Sequence, residues 1–240
     1  MSSNTEVTVL TATDTVAPID FYSDPPDGVR VNMVNTLDNE AAFDGRVAAI
    51  SDPTDHQLLL DLRAFADVLL VGAGTVRAES YGRVILTERQ IELRQAKLGL
   101  TGRPPVAVVT SKGRLPKESR LFGVEPRPLL ITTAVAAQEG APDDAQETIV
   151  AGHDRVDLPQ AIDALRERGF RRILCEGGPS LLHTLAEHDL IDEMCVTVSP
   201  MIAGAQGGSP RPGTTLDGPR RMKLAHVLSH NDFLYLRYTR

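Results

Sequence analysis

The apolar residues of the chain fall into short runs that predict strands, separated by stripes with helical spacing. The segment GVRVNMVNTL (28–37) alternates apolar and polar residues, and VLLVGAG (68–74) is a continuous apolar run. Further strand-like runs are PPVAVVTS (104–111), PLLITT (128–133), ETIVAG (147–152) and RRILCEGG (171–178). Continuous apolar character indicates strands that are buried on both faces, as in a parallel sheet covered by helices.

Helical patterns lie between these runs. The clearest covers residues 51–67, where Ser51 or Asp52 is a candidate N-cap and Pro53 suits the first helical position. Its apolar stripe consists of Leu58, Leu59, Leu62 and Phe65. Weaker or shorter helical patterns cover residues 88–100, 158–170 and 181–188.

The end of the chain departs from this alternation. EMCVTVSPMI (193–202) and AHVLSHNDFLYLRYTR (225–240) are both strand-like, and a loop rich in glycine and proline lies between them. Two strands in this relation are typical of an antiparallel pair. The whole pattern predicts an α/β fold with three layers, in which a mostly parallel central sheet ends in a C-terminal antiparallel hairpin.

Length and composition exclude several classes of protein. The 240 residues suffice for a substantial core, and we expect a partly disordered N-terminal extension over 1–28 before one domain over 29–240. The net charge of -7 argues against a nucleic-acid partner. Neither a membrane span nor a signal peptide is evident, so we expect a cytoplasmic protein in which Cys175 and Cys195 are buried thiols.

Three turns that contain glycine each follow an apolar strand. They are VGAGT (71–75), TSKGR (110–114) and CEGGPS (175–180). Glycine has no Cβ, so a ligand can contact the backbone there, and the first amides of a following helix are unpaired. Ligands of α/β sheets bind at the carboxyl ends of strands. The three turns therefore predict one elongated site for a phosphate-bearing ligand.

Positive side chains accompany these turns although the protein is acidic. Arg77 follows the first turn, Lys112 and Arg114 belong to the second, and Arg103 precedes the third strand. We interpret them as counter-charges for a phosphorylated cofactor. Ser111 and Arg114 suit the 2′-phosphate that distinguishes NADPH from NADH.

The motifs of other enzyme classes are incomplete. GAGTVR (72–77) has the form GxGxxR instead of GxGxxG, and a strand and a helix already precede it. The chain has no GxSxG motif, and its histidines show no metal-binding spacing, so no metal is expected. A Rossmann-type dehydrogenase and a non-catalytic NADPH-binding protein stay open as alternatives.

Five segments, in order, resemble the reductase domain of bacterial riboflavin biosynthesis, which is the C-terminal domain of a bifunctional deaminase–reductase. They are VNMVNTLD, LRAFADVLLVGAGTVRAE, RPPVAVVTSKGRLP, RRILCEGGPSLLHTL and LIDEMCVTVSP. The resemblance implies a dihydrofolate reductase-like fold and an NADPH-dependent oxidoreductase, usually homodimeric. The implied reaction reduces the ribosyl group of 5-amino-6-(5-phosphoribosylamino)uracil to ribityl. The HxE and PCxxC motifs of the deaminase are absent, so we expect a stand-alone reductase.

The resemblance also assigns site residues. Cofactor-binding candidates are Gly72, Gly74 and Thr75 for the phosphates, Ser111 and Arg114 for the adenosine end, and Gly177, Gly178, Pro179 and Ser180 for the pyrophosphate and nicotinamide ribose. Substrate-binding candidates are Asn35, Thr36, Asp38, Asp55, Glu79 and Glu176. Glu176 alternatively caps its turn. Asp38 and Asp55 are the candidate catalytic acids.

Two motifs depart from the family pattern. The usual SLDG is Thr-Leu-Asp-Asn at 36–39, and the usual ADDP is Ala-Glu-Ser-Tyr at 78–81. The second change affects residues that are expected to meet the ribosyl phosphate, so a pterin such as dihydrofolate is an alternative substrate. In the dihydrofolate reductase fold an acidic residue near the start of the first helix faces the pterin ring. We therefore expect Asp55 to orient the substrate, with simple stabilisation of the helix as the alternative.

Overall fold

The computed structural model describes residues 17–79, 81–115, 119–123, 125–138, 147–204 and 216–240. The strands in these residues are β1 (Gly28–Asn35), β2 (Val68–Gly72), β3 (Val106–Val109), β4 (Leu129–Thr132), β5 (Glu147–Val150), β6 (Arg172–Cys175), β7 (Glu193–Val198), β8 (Lys223–His230) and β9 (Phe233–Thr239). The helices are α1 (Pro53–Ala64), α2 (Ala73–Ala78), α3 (Glu88–Leu98), α4 (Ala134–Gln138), α5 (Leu158–Glu167) and α6 (Pro179–Glu187), with 3-10 turns at Pro18–Phe21 and Val47–Ala49.

All of these strands join one sheet in the order β5-β4-β3-β2-β6-β1-β7-β9-β8. Neighbouring strands from β5 to β7 are parallel, and β9 is antiparallel to both β7 and β8. The predicted architecture is confirmed: the molecule is an α/β protein with a mostly parallel central sheet and a C-terminal antiparallel hairpin.

The hairpin is built differently from the sequence prediction. Residues 225–240 were expected to form one strand opposite 193–202, but they divide into β8 and β9. The break falls at Asn231 and Asp232, which adopt positive φ angles of 48° and 66°. Asparagine and aspartate tolerate this left-handed conformation, which a two-residue turn between twisted strands requires. The strand over 193–202 is β7, and it ends at Val198.

The strands of the sheet centre are buried on both faces, as their apolar runs predict. Along β2, Leu69 and Val71 face the layer that contains α1, whereas Val68 and Leu70 face α5 and α6. None of these four side chains is accessible to solvent. Helices therefore cover both faces, which gives the three layers. No helix within the described ranges has the length and apolar character to cross a membrane.

Helix α1 begins as its sequence predicts, and its N-cap residue Asp52 contacts Tyr235 of β9. The Asp52 side chain accepts a hydrogen bond from the Asp55 amide at 2.7 Å, and Pro53 occupies the first turn. Leu58 and Leu62 are buried against the sheet. The weaker pattern near residue 90 is also a helix, α3, and a capping box at Thr87 starts it.

Two short helices were not predicted. The sequence indicated a turn after β2, but α2 begins directly at Ala73 and includes Gly74. Helix α4 follows β4. Helices of five or six residues are too short to show a 3.6-residue apolar period, so the pattern could not reveal them.

The second half of the predicted N-terminal extension lies against the sheet. Ile19 and Tyr22 are buried, and Arg30 of β1 donates to the Tyr22 carbonyl oxygen at 2.9 Å. Arg237 of β9 donates to the Phe21 carbonyl oxygen at 2.7 Å. The predicted disorder at the start of the chain concerns residues outside the described ranges.

Candidate functional site

The three predicted glycine turns lie side by side. The strands that they follow, β3, β2 and β6, are consecutive in the sheet and mutually parallel. Their carboxyl ends therefore meet at one edge of the sheet, where ligands of α/β proteins bind. The next strand along the same edge is β1, so Asn35 and the residues after it border this region.

The turns after β2 and β6 are in direct contact. The Gly72 amide donates to the Gly177 carbonyl oxygen at 3.2 Å. A Cβ on Gly178 would lie 3.3 Å from Thr75 Oγ1 and 3.6 Å from the Gly72 Cα. Gly177 and Gly178 have φ angles of 94° and 97°, which side chains rarely allow. Glycine at these positions thus brings two strand ends together and leaves their backbone bare.

The helix that follows this pair of turns starts without a side-chain cap. Gly178 is the N-cap of α6, Pro179 opens the helix, and Ser180 is exposed in its first turn. Helix α2 likewise has Gly72 as its N-cap, which gives it no side-chain cap. Uncapped amides at a helix start favour an anion, because they carry partial positive charge. The paired turns can hold the phosphates of a nucleotide.

The third turn, which follows β3, is held by hydrogen bonds at Thr110, and three of its side chains are exposed to solvent. The Thr132 hydroxyl donates to the Thr110 carbonyl oxygen at 2.7 Å, and the Thr110 hydroxyl accepts from the Lys112 amide at 3.2 Å. A Cβ on Gly113 would lie 3.0 Å from the Ala136 carbonyl oxygen, so this position also requires glycine. The exposed side chains are Ser111, Lys112 and Arg114.

One expected counter-charge lies at the wrong edge. Arg77 is exposed at the end of α2, near the glycine turns in sequence and in the fold. Arg103, however, precedes the amino end of β3. It lies at the opposite edge of the sheet from the turns, so the expectation that it neutralises the same ligand is wrong.

The segment after β1 is fastened to the segment after β7 by the Asp38 carboxylate. Its Oδ1 accepts from the Thr36 hydroxyl at 2.5 Å and from the Ala203 amide at 3.1 Å, and its Oδ2 accepts from the Gly204 amide at 2.7 Å. The Thr36 hydroxyl, and then these amides, lower the pKa of Asp38. Asn35 donates to the Thr36 carbonyl oxygen at 3.0 Å.

Asp55 lies in the first turn of α1 and is buried. The Ser51 hydroxyl donates to its Oδ2 at 2.6 Å. Beside it, the Tyr235 hydroxyl of β9 donates to Asp52 Oδ1 at 3.2 Å. Burial, and then the Asp52 carboxylate, raise the pKa of Tyr235 above its usual range. Asp55 thus belongs to a small polar cluster between α1 and β9.

Glu176, at the end of β6, is engaged by two side chains. Arg63 of α1 donates to it through Nε at 2.7 Å and through Nη2 at 2.8 Å, and the Tyr81 hydroxyl donates to the same carboxylate. Glu79 is exposed, and its Oε1 accepts from the Val47 amide at 3.4 Å. Ser80, which belongs to the same motif at 78–81, lies outside the described residues.

Arg63, Tyr81 and Tyr235 were missed by the sequence reasoning. Arg63 occurs four residues after Leu59, so these two residues share one face of α1. A charged residue on that face implies a buried partner, and this signal was available. Nothing in the sequence marks the two tyrosines. Within the described ranges, no group of three or more His, Cys, Asp or Glu side chains could hold a metal ion.

The fold and the paired glycine turns define the class: α/β proteins whose parallel sheet presents bare backbone at its carboxyl edge. The family model of the RibD C-terminal domain matches residues 28–233. The chain therefore belongs to the RibD C-terminal domain family.

Named relatives agree with this family. The chain is 30% identical over 202 residues to the 2,5-diamino-6-ribosylamino-4(3H)-pyrimidinone 5′-phosphate reductase of Archaeoglobus fulgidus, covering 83% of this chain and 90% of the relative. It is 29% identical to the riboflavin biosynthesis protein RibD of Mycobacterium tuberculosis over 68% of this chain and 39% of that protein. A crystal structure of a pyrimidine reductase-like protein from Corynebacterium diphtheriae is similar with a TM-score of 0.75 and 28% identity, covering 92% and 94% of the two chains.

The contact between the turns generates a test with a matched control. Gly178→Ala places a methyl group 3.3 Å from Thr75 Oγ1 at a φ angle of 97°, whereas Gly99→Ala meets open space at a φ angle of 70°. We expect a fall in the free energy of unfolding of about 2–3 kcal/mol for Gly178→Ala and about 1 kcal/mol for Gly99→Ala in urea titrations. Equal losses would show that the close approach of the two turns is unimportant.

The environment of Asp38 predicts a pH dependence. Its pKa in the folded protein is below the ordinary value of 3.8, so its stabilising contribution is present above about pH 4 and disappears as the pH falls through the lowered pKa. Thermal unfolding of the wild type and of Asp38→Asn from pH 6 to pH 3 measures this contribution. We expect a gap between the two melting temperatures at pH 6 that closes toward pH 3. A gap that stays constant would contradict a charged carboxylate at this position.

Proposed function

We propose that this chain is an NADPH-dependent reductase of riboflavin biosynthesis. Its substrate is a ribosylaminopyrimidine 5′-phosphate, namely 5-amino-6-(5-phosphoribosylamino)uracil or its 2,5-diamino-pyrimidinone relative, and the product carries a ribityl group. The observation that carries the proposal is the contact of the Gly72 and Gly177–Gly178 turns, in a chain that belongs to a reductase family. The name of the Archaeoglobus fulgidus relative supports the pyrimidine phosphate substrate.

The cofactor is proposed to run along the three turns. Gly72, Gly74 and Thr75 hold its phosphates, and the Gly177–Gly178 turn with Pro179 and Ser180 holds the pyrophosphate and the nicotinamide ribose. The fit rests on the bare backbone: a Cβ on Gly178 would occupy the space between the two turns. The uncapped start of α6 adds partial positive charge for the phosphates.

The preference for NADPH over NADH is assigned to the third turn. Ser111 and Arg114 are both exposed there, at the same edge as the paired turns. A hydroxyl and a guanidinium group are donors suited to a 2′-phosphate. Lys112 lies between them and adds positive charge to the same turn.

The reaction needs positioning more than an activated nucleophile. NADPH, when bound, supplies the hydride, which adds to C1′ of the ribosyl group, and a proton completes the opening of the sugar ring at its oxygen. The protein must hold the donor and acceptor carbons about 3–3.5 Å apart and keep water out. Its glycine turns and the buried Asp55 in the first turn of α1 serve this purpose.

Asp55 is the better candidate for substrate recognition. It is buried, and within the described part of the chain Ser51 alone donates to its side chain, at Oδ2. Asp38 instead accepts three hydrogen bonds that join two loops, and its lowered pKa makes it a poor proton donor. We assign Asp55 to a paired hydrogen bond with the amino-pyrimidine ring, while Asn35, Thr36 and Asp38 shape the adjoining wall. We propose that Glu79 lies near the end of the substrate that carries the ribosyl phosphate.

We further propose a cytoplasmic homodimer, as the resemblance implied. Four exposed apolar side chains at the carboxyl ends of β1 and β7 and at the start of β9 support an interface: Leu37, Met201, Ile202 and Leu234. Leu37 and Met201 are joined by a backbone hydrogen bond of 2.9 Å, which brings two of them together. Of the four, Ile202 is 78% exposed.

The cofactor assignment predicts different effects of substituting the two arginines that flank β3. Arg114 follows β3 at the edge of the turns, and Arg103 precedes it at the other edge. Arg114→Ala should weaken NADPH binding about tenfold, which is the loss of one charge-assisted hydrogen bond, and leave NADH binding unchanged. Arg103→Ala should change neither. Titration calorimetry measures the dissociation constants of NADPH and NADH for both variants. Equal changes in NADPH affinity in Arg114→Ala and Arg103→Ala would refute the assignment.

The substrate assignment is tested by following NADPH absorbance with three acceptors side by side: the uracil phosphate, the 2,5-diamino-pyrimidinone phosphate and dihydrofolate. We expect oxidation with a pyrimidine phosphate and none with dihydrofolate. Asp55→Asn should lower turnover at least tenfold without changing NADPH affinity, because it disturbs the paired hydrogen bond to the ring. Oxidation with dihydrofolate alone would identify a pterin reductase, and binding without any oxidation would identify a non-catalytic protein.

A further inference from the structure

The partly buried cluster of Arg63, Tyr81 and Glu176 joins three separate parts of the chain. Arg63 belongs to α1, Tyr81 follows α2, and Glu176 lies between β6 and its glycine turn. The Arg63 and Glu176 side chains are 15% and 4% exposed. Arg63 also lies over the Tyr81 ring, with its guanidinium carbon 5.3 Å from the ring centroid.

The Glu176 carboxylate has little capacity left for a ligand. Its Oε1 accepts from Arg63 Nε, and its Oε2 accepts from both Arg63 Nη2 and the Tyr81 hydroxyl. This bidentate arrangement is the strongest geometry between an arginine and a carboxylate. Burial, and then the Glu176 carboxylate, raise the pKa of Tyr81 well above its ordinary value, so Tyr81 stays a donor.

The cluster connects the two halves of the proposed cofactor site. Glu176 directly precedes Gly177, and its own amide donates to the Leu70 carbonyl oxygen of β2 at 3.1 Å. The Tyr81 amide donates to the Val76 carbonyl oxygen of α2 at 3.1 Å. Movement of the Glu176 side chain would therefore be transmitted to the β6 turn, and movement of Tyr81 to α2.

We propose that Arg63 and Tyr81 are positioning residues for the cofactor, which clamp Glu176 and thereby set the spacing between the Gly177–Gly178 turn and the start of α2. This inference rests on the proposed cofactor site. It assigns Glu176 to cofactor positioning and removes it from the substrate-binding set. It also gives a role to residues 78–81, where the sequence differs from the ADDP motif that is usual in the family. Tyr81 occupies the position of the proline, and its hydroxyl donates a hydrogen bond that proline cannot make.

The test compares two arginines that make bidentate contacts beside the same strand. Arg63→Lys loses the paired contact at the carboxyl end of β6, and Arg172→Lys loses the contact of Arg172 with Asp67 at the amino end, where Nη2 to Oδ1 is 2.8 Å. We expect both variants to lower the melting temperature. Arg63→Lys should raise the NADPH dissociation constant about 5- to 20-fold, as for partial loss of a charge-assisted hydrogen bond, whereas Arg172→Lys should leave it unchanged.

Tyr81→Phe keeps the ring and removes only the hydroxyl, so it tests the clamp if Arg63→Lys does not fold. This variant should raise the NADPH dissociation constant about 3-fold or more, because the hydrogen bond from Tyr81 to Glu176 is lost. The KM for the pyrimidine phosphate should stay within 2-fold of the wild-type value. Glu176→Gln should behave in the same way.

Two results would overturn the clamp. The first is an unchanged NADPH dissociation constant in both Arg63→Lys and Tyr81→Phe. The second is a rise in the KM of Glu176→Gln for the pyrimidine at constant NADPH affinity, which would make Glu176 a substrate ligand. A wild-type protein that binds no NADPH would instead refute the proposed function itself, so the two failures are distinguishable.

Discussion

The site depends on one close approach: the hydrogen bond between the Gly72 amide and the Gly177 carbonyl oxygen, with Gly178 against Thr75. A side chain at Gly178 would crowd this approach, because its Cβ would lie 3.3 Å from Thr75 Oγ1 at a φ angle of 97°. The sheet order makes the approach possible, since β6 enters between β1 and β2. The continuous apolar character of these strands follows from the same order, because each central strand is covered on both faces.

The polar groups around this contact are of two kinds. Asp38, Glu176 and Asp52 accept hydrogen bonds that fasten neighbouring segments, so their charges are used within the protein. Asp55 differs because it is buried in the first turn of α1 and, among the described residues, only Ser51 donates a hydrogen bond to its side chain. A reductase whose cofactor performs the redox chemistry needs such a division, since most of its polar groups must hold the geometry while few meet the substrate.

The sequence was informative wherever the signal was local. Apolar runs, the Asp52 cap and the glycines after β2, β3 and β6 all depend on neighbouring residues, so the main strands, α1 and the glycine turns were predicted. Long-range pairing was not predictable: Arg63 and Glu176 lie 113 residues apart, and no local pattern connects them. Helix α2 was missed because six residues show no period, and the β8–β9 turn was missed because Asn231 and Asp232 replace the glycine that usually marks such a hairpin.

The central claim is that bare backbone at three adjacent strand ends holds one dinucleotide. A crystal structure of the protein grown with NADPH tests it most directly. The account predicts cofactor density that runs from the Ser111–Arg114 turn across Gly72 to the Gly177–Gly178 turn, with the nicotinamide toward Asp55. Cofactor density at the opposite edge of the sheet, near Arg103, would contradict it.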